Sequence, residues 1–325
     1  MRKIIILMLF AVLIVSCSNA TNKENDPVIN IFDKFSNLAT DYKIENKILL
    51  SDITKNKYNE AALIYEDGSI VKLPLKDTID SNFSGLEGIY LYNEFFSITD
   101  AYYDVKSYLK NDEKVMLILL DGFSLEQYNY AVDRGYIEFL QNYFANEALS
   151  VFTPVTNAGY AAIITGETPN INGIHDRSNR EMSVNSIFHY ALNNDKKSII
   201  MEGDIKILNT EIEPILHIDL NKDGDTDDEM LKSTLNAVQN EYDLIFVHFH
   251  GIDDRGHSYG PFSDEAMHYI SSIDRSIEKL SEIWRDNIVI TSDHGMHETI
   301  EGGSHGVCQS SDMIVPYFRI KNRNE

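Results

Sequence analysis

From Lys114 onward the hydrophobic positions fall into short unbroken runs separated by amphipathic stretches. "VMLILL", "KSIIM", "DLIFVHF", "NIVITS" and "MIVPYFRI" have the length and β-branched content of strands buried on both faces, and "SVFTPV" reads as one more. Between them the spacing turns helical, from Leu125 to about Asn146 and again after "SVFTPV". Ser263 can cap a further helix running to Trp284, with Ala266, Ile270, Ile273, Ile277 and Leu280 on one face. Such alternation predicts an α/β fold with a largely parallel central sheet flanked by helices. Ligands of such sheets bind beyond the carboxyl ends of the strands.

The chain before this point has another rhythm. Residues 30–112 predict a small N-terminal α+β appendage, in which "AALIYEDGSIVKL" reads as a hairpin turning at Asp67-Gly68. Residues 113–325 form the α/β domain. Residues 1–17, "MRKIIILMLFAVLIVSC", combine a basic start, an apolar run from Ile4 to Val15 and then Ser16-Cys17. The run is short for a membrane span and has the proportions of an export signal. "IVSC" resembles a bacterial lipobox, which makes Cys17 the expected lipidated first residue of the mature chain, and residues 18–29 a polar tether. The expectation is an exported protein held at the bacterial cell envelope by a lipid anchor.

Charge and cysteine content narrow the partners. The formal net charge is −23, and residues 1–17 contribute two of the cations and no acid. Nucleic-acid polymers need clustered Lys and Arg, so they are not expected ligands. Cys17 and Cys308 are the only cysteines, and lipidation of the first leaves no pair for an internal disulfide.

Unusual residues collect at the strand ends. "VMLILLDGF" delivers Asp121, "SVFTPVTNAGY" delivers Thr153 and Thr156, and "DLIFVHFHGIDDRGHSYGP" delivers Asp253 and His257. "NIVITSDHGM" adds Asp293 and His294, and "EGGSHGV" presents His305. Singly, an Asp-Gly is a turn and a histidine a hydrogen-bonded structural residue. Gathered at one sheet edge, the carboxylates would repel one another unless cations lay between them. Mixed imidazole and carboxylate donors suit zinc, with manganese or iron as competitors.

The motifs "LLDGF", "TPVTNAGYAAIITGETPNINGI", "DDRGHSYGP", "TSDHGM" and "GGSHG", in that order, resemble the alkaline phosphatase superfamily. The closest likeness is to its type I phosphodiesterase/nucleotide pyrophosphatase branch, over about two-thirds of the chain. The resemblance implies a two-metal hydrolase of phosphate esters acting on a small substrate through a covalent phospho-threonine. One divalent ion would be held by Asp121, Asp293, His294 and the Thr156 oxygen, the other by Asp253, His257 and His305. Thr156, ten residues before Gly166, matches the family nucleophile, leaving Thr153 a structural role. The Asn157 backbone N–H would support the developing oxyanion.

Two places depart from that pattern. Diesterases of this branch carry an asparagine shortly after "GI", where this chain reads "GIHDRSNR". Arg177 there could clamp a dianion through two hydrogen bonds, which suits a phosphomonoester or phosphonate. Alternatively Asn179 takes the family role and Arg177 pairs with Asp176. Secondly, "DLNKDGDTDDEM" places Asp219, Asn221, Asp223 and Asp225 at the alternate positions of a calcium loop, with Gly224 at the turn. Position twelve is Met230, not a glutamate, so the loop is either a weak Ca2+ site or a solvated acidic turn. On the first reading a non-enzymatic calcium-binding surface lipoprotein is the competing function.

Overall fold

The computed structural model describes residues 28–43, 47–49, 57–75, 78–80 and 84–321. Cys17 and the signal and tether segments lie outside these residues. The chain runs through strands β1 (Val28–Phe32), β2 (Asn37–Lys43), β3 (Lys47–Leu49), β4 (Glu60–Tyr65), β5 (Ile70–Pro74), β6 (Thr78–Asp80), β7 (Leu86–Tyr92) and β8 (Phe96–Ser97). Helix α1 (Asp100–Lys110), β9 (Val115–Leu120), α2 (Leu125–Asp133), β10 (Asn146–Leu149), α3 (Thr156–Thr165), α4 (Pro169–Asn172) and α5 (Ile187–Asn193) follow. Next come β11 (Ser198–Glu202), β12 (Ile215–Leu216), α6 (Asp227–Ala237), β13 (Leu244–Phe249), α7 (Gly251–Tyr259) and α8 (Asp264–Ile283). The chain ends with β14 (Asn287–Thr291), β15 (His297–Thr299), β16 (Gly302–Ser304), α9 (Ser310–Met313) and β17 (Ile314–Lys321).

The larger sheet has the order β12-β11-β13-β9-β14-β17-β10-β8. Its first five strands are parallel, whereas β17 runs antiparallel to β14 and to β10. Every residue of β9 and β13 is buried, as expected for strands covered on both faces. Helix α8 lays Ala266, Met267, Ile270, Ile273, Ile277 and Leu280 against the sheet, and Ser263 caps it by accepting the Ala266 N–H.

Two expected elements differ. The helix from Leu125 stops at Asp133, because Gly135 takes a left-handed φ of 76° and turns the chain away. The strand predicted at "SVFTPV" lies just before it, at Asn146–Leu149. The Ser150 N–H still bonds the Met313 carbonyl, but beyond it Pro154 offers no N–H and Val155 N–H turns back to the Thr153 carbonyl, so the pairing does not continue.

The N-terminal unit is a five-stranded sheet, β2-β1-β7-β4-β5, with the Asp67-Gly68 hairpin joining β4 and β5. Phe32 stacks on Tyr90 and Tyr90 on Tyr92, and these rings share one core with residues of the α/β domain such as Phe123, Cys308 and Met313. The aromatic run from Tyr90 is therefore split. Tyr90 and Tyr92 belong to the small sheet, while β8 and α1 join the large one, with β8 at its edge beside β10.

Candidate active site

Strands β9, β13 and β14 lie side by side in the sheet and end together. Their ends place Asp121, Asp253, Asp293 and His294 in one buried cluster, with relative exposures of 3%, 7%, 0% and 0%. The tight turn after β9 makes this possible. Gly122 has φ 70°, and a Cβ there would stand 2.6 Å from Asp253 Oδ1. Thr156, at the first turn of α3, sits 3.5 Å from His294 Nε2 through its hydroxyl. Gly159, one turn on, lets the helix ride directly on Asp293, since a Cβ would meet the Asp293 carbonyl oxygen at 2.4 Å.

Hydrogen bonds orient the donors. Asp293 Oδ1 accepts the N–H groups of Gly122 and His294, leaving Oδ2 without a partner. Asp121 Oδ1 and Asp253 Oδ1 are likewise buried and unpartnered. Three histidines use Nδ1 on backbone carbonyls: His294 on Gly295, His257 on Gly303 and His305 on Pro154. Each Nδ1–H donates, so in the neutral ring each Nε2 carries its lone pair inward, the tautomer a metal ligand needs. His294 Nε2 lies 3.4 Å from Asp121 Oδ1 and 3.6 Å from Asp293 Oδ2, and His257 Nε2 lies 3.4 Å from Asp253 Oδ2. Bonds of about 2.0–2.2 Å to a shared tetrahedral ion give donor separations of about 3.3–3.6 Å. His305 Nε2 is 3.9 Å from Asp253 Oδ1, and its ring stacks on His294 with centroids 3.9 Å apart. The unpartnered oxygens and inward nitrogens fit the two expected ions.

The electrostatics ask for positive charge. Burial and the facing Asp121 push Asp293 above the usual carboxylate range. Burial would raise Asp121 too, but His248 and His250 outweigh it and hold it well down. The Asp253 carboxylate raises His257 to about 9. Burial lowers His248, yet Glu202 and Asp121 on either side overcome it and push the ring up to about 10.

These last partners were not anticipated. His248 and His250, from "VHFHG", stand beside Asp121, and Glu202, at the end of β11, faces His248 from the other side. The available signal was their i, i+2 spacing, which points two side chains to one face of a strand end. Asp227 is a second unforeseen residue. Its carboxylate accepts the His250 and Gly251 N–H groups at 3.0 Å and so fixes the start of α7, which carries Asp253 and His257.

Asn157 is buried beside Thr156, and its side-chain amide donates to the Ile207 carbonyl. Arg177 is exposed and lines a cavity of about 500 Å3 together with Thr156, Asp121, Asp253, Arg180 and His250. Asn179 is turned elsewhere, its amide donating to the Gly173 and Glu181 carbonyls, and Asp176 accepts the Ser178 N–H.

The acidic loop folds differently from the calcium-loop expectation. Asp219 spends both oxygens on the Lys222 and Gly224 N–H groups, and Asn221 accepts from Asp223 N while its amide faces Asp223 and Asp228. The carboxylates that gather are Asp223, Asp225 and the unforeseen Asp228, and Asp225 is paired with Arg255. The loop is not remote from the catalytic candidates, because Asp219, Gly224 and Asp225 line the same cavity as Thr156.

The loop carrying His305 is tied down by Asp312. Its fully buried carboxylate accepts the Val307 N–H and faces His297 Nδ1 at 2.8 Å. That pairing raises His297 above its ordinary value. A raised folded-state value means the stabilisation is fully present below the unfolded pKa of about 6.5 and is lost as pH rises through the folded one. His297→Gln is therefore expected to lower the melting temperature more at pH 6 than at pH 9. Equal losses at both pH values would show that the pair carries no charge-dependent stability.

The model of the type I phosphodiesterase/nucleotide pyrophosphatase family matches residues 197–311, which contain Asp253, His257, Asp293, His294 and His305. The chain resembles the type I phosphodiesterases. Among curated proteins, the GPI ethanolamine phosphate transferase 1 of Neurospora crassa is 34% identical over 82 residues, 23% of this chain and 8% of that protein. The Homo sapiens enzyme of the same name is 28% identical over 93 residues, 26% of this chain and 10% of that protein. The chain thus spans a tenth or less of these relatives. Two solved structures are similar at TM-score 0.45 and 18% identity over 57% of this chain: murine ectonucleotide pyrophosphatase/phosphodiesterase 5, covered over 58%, and the phosphonoacetate hydrolase of Sinorhizobium meliloti bound to phosphonoformate, covered over 56%.

Proposed function

We propose that this protein is a metal-dependent hydrolase of small phosphate esters, with Thr156 as nucleophile. One observation carries the reading: a cluster with unpartnered oxygens on Asp121, Asp253 and Asp293 and with His257, His294 and His305 anchored through Nδ1 has the Thr156 hydroxyl beside it, 3.5 Å from His294 Nε2. Asp121, Asp293, His294 and Thr156 would hold one divalent ion, and Asp253, His257 and His305 the other, zinc being the first choice by donor type. Such ions supply the charge that makes a hydroxyl nucleophilic and neutralises phosphoryl oxygens.

The chain's own residues then do the rest. Thr156 Oγ1 gives its proton to water and bonds phosphorus, the bond from phosphorus to the leaving oxygen breaks as that oxygen takes a proton from water, and a further water then cleaves the phospho-threonine, releasing the phosphate product and restoring the hydroxyl. Thr156 and Asn157 open α3, so free backbone N–H groups and the positive end of its dipole face the developing charge. The test is turnover of aryl phosphate mono- and diesters by chelated and zinc-reloaded protein. Activity unaffected by chelation would reject the reading.

Arg177, on the cavity wall beside Thr156, supports a second reading in which the substrate is a dianionic monoester or phosphonate. On that reading Arg177→Ala lowers monoester turnover by about two orders of magnitude, from roughly 3 kcal/mol for a charge-assisted contact, and diester turnover less. Equal small losses would return the protein to diester chemistry.

We further propose that the protein is exported and lipid-anchored through Cys17, on the strength of the basic-apolar-"IVSC" order of residues 1–17. Cys17→Ser is expected to release it from membranes or block its processing. Unchanged membrane retention would refute the anchor.

A further inference from the structure

Thr156 and the candidate metal donors all come from the α/β domain, yet the β4–β5 hairpin of the N-terminal sheet reaches the chain on both sides of α3. At the hairpin's tip Gly68 has φ 77°, and a Cβ there would stand 2.7 Å from Pro169 Cβ and 2.9 Å from the Phe152 carbonyl oxygen. Glycine alone leaves room for that approach. Phe152 lies just before α3, and Pro169 opens α4 just after it. The helix between them, which Thr156 begins, is buried along its whole length.

The tip is itself held firmly. Gly68 N–H donates to the Tyr65 carbonyl, Tyr65 N–H donates to the Ser69 carbonyl, and Asp67 Oδ1 accepts the Ser69 N–H. Behind the tip, β4 pairs with β5 on one side and β7 on the other. Ala62 and Ile64 of β4 belong to the core that the small sheet shares with the α/β domain, and Phe152 packs against that same core. The segment carrying Phe152 is also tied to the donor cluster. Its Ser150 hydroxyl bonds the Asp293 carbonyl, and its Pro154 carbonyl accepts from His305 Nδ1. Residues 150–156 are thus clamped between the donors and the hairpin.

We infer that the β4–β5 hairpin is a positioning element of the active site: Gly68, seated against Phe152 and Pro169, holds the start of α3 so that the Thr156 hydroxyl stays against the donors. The inference rests on the preceding reading in taking Thr156 as the nucleophile, and it gives the N-terminal sheet a part in turnover. Misplacing a reacting group by about 1 Å can cost about a hundredfold in rate. A Cβ at Gly68 demands a shift of nearly that size, since 2.7 Å must open to an ordinary contact of 3.4–4 Å.

The experiment compares Gly68→Asn with Gly85→Asn in the full chain, with melting curves to check folding. Asparagine tolerates the left-handed backbone that both glycines adopt, with φ of 77° and 73°, so the added Cβ is what is tested. At Gly85 that carbon would meet only Glu66 side-chain atoms, at 3.6 and 3.7 Å. On an aryl phosphate ester with zinc-loaded protein, Gly68→Asn is expected to lose about ten- to hundredfold in kcat with KM little changed, and Gly85→Asn to keep its rate. Unchanged kcat in Gly68→Asn, or equal losses in the two variants, would overturn the inference. Wild type without turnover would reject the hydrolase reading instead, and amide hydrogen exchange over residues 152–160 then decides the positioning claim by itself. Faster exchange in Gly68→Asn alone supports it, and equal exchange in the two variants rejects it. Should Gly68→Asn not fold, Pro169→Ala takes its place, because it removes the ring carbon on which the tip rests. It is expected to lower kcat by about threefold or more, and an unchanged kcat would overturn the inference.

Discussion

Thr156→Ala is expected to abolish phosphate-ester turnover while metal binding survives. The hydroxyl lies 3.5 Å from His294 Nε2 at the start of α3 and lines the cavity beside Asp121 and Asp253. Its loss removes the covalent route, leaving at most direct attack by water. A fall in kcat of at least about three orders of magnitude corresponds to about 4 kcal/mol of barrier. Asp121, Asp293 and His294 remain for one ion, and Asp253, His257 and His305 for the other, so metal content should change little. Thr156→Ser should keep part of the rate, since the hydroxyl persists but loses the methyl that restricts its rotamer. Full activity in Thr156→Ala would remove the threonine from the mechanism.

Asp293→Asn has the second large effect, and its sign depends on metal. The amide oxygen can still accept from the Gly122 and His294 N–H groups, so the local backbone holds. What disappears is one of two buried carboxylates that repel each other, Asp293 being pushed up by burial and by Asp121. Without metal, relieving that repulsion should leave the melting temperature unchanged or higher. With metal the variant should lose the stabilisation that a bound ion gives, about 2.7 kcal/mol at a hundredfold excess over Kd. Thermal melts of both forms, with and without chelator, check this. An equal drop in the two conditions would mean that Asp293 serves packing and not a cation.

The sheet and most of the donors were legible in the sequence for the same reason. Strands buried on both faces must be continuously apolar, so a carboxylate or imidazole that ends such a run is conspicuous, as Asp121 and Asp293 are after β9 and β14. His248 was hidden by this rule, because it lies inside the apolar run of β13 and its partners, Glu202 and Asp121, arrive from other strands. Asp227 was hidden inside an acidic string, where only the fold reveals that it caps α7 rather than facing solvent. The calcium-loop pattern misled in the opposite direction. Its alternate spacing is real, but short acidic side chains also bond nearby backbone N–H groups, and Asp219 does so with both oxygens. The edge of the small N-terminal unit was blurred because β8 is two residues long and gains its place only by pairing with β10.

The most direct test of the central claim is rapid acid quench of the zinc-loaded protein during turnover of an aryl phosphate ester, followed by mass spectrometry of its peptides. The account predicts a transient phosphoryl adduct, or its monoester when a diester is used, on the peptide carrying Thr156 and absent from Thr156→Ala. Turnover that proceeds with no adduct on that peptide at any quench time, or with an adduct on another residue, would contradict it.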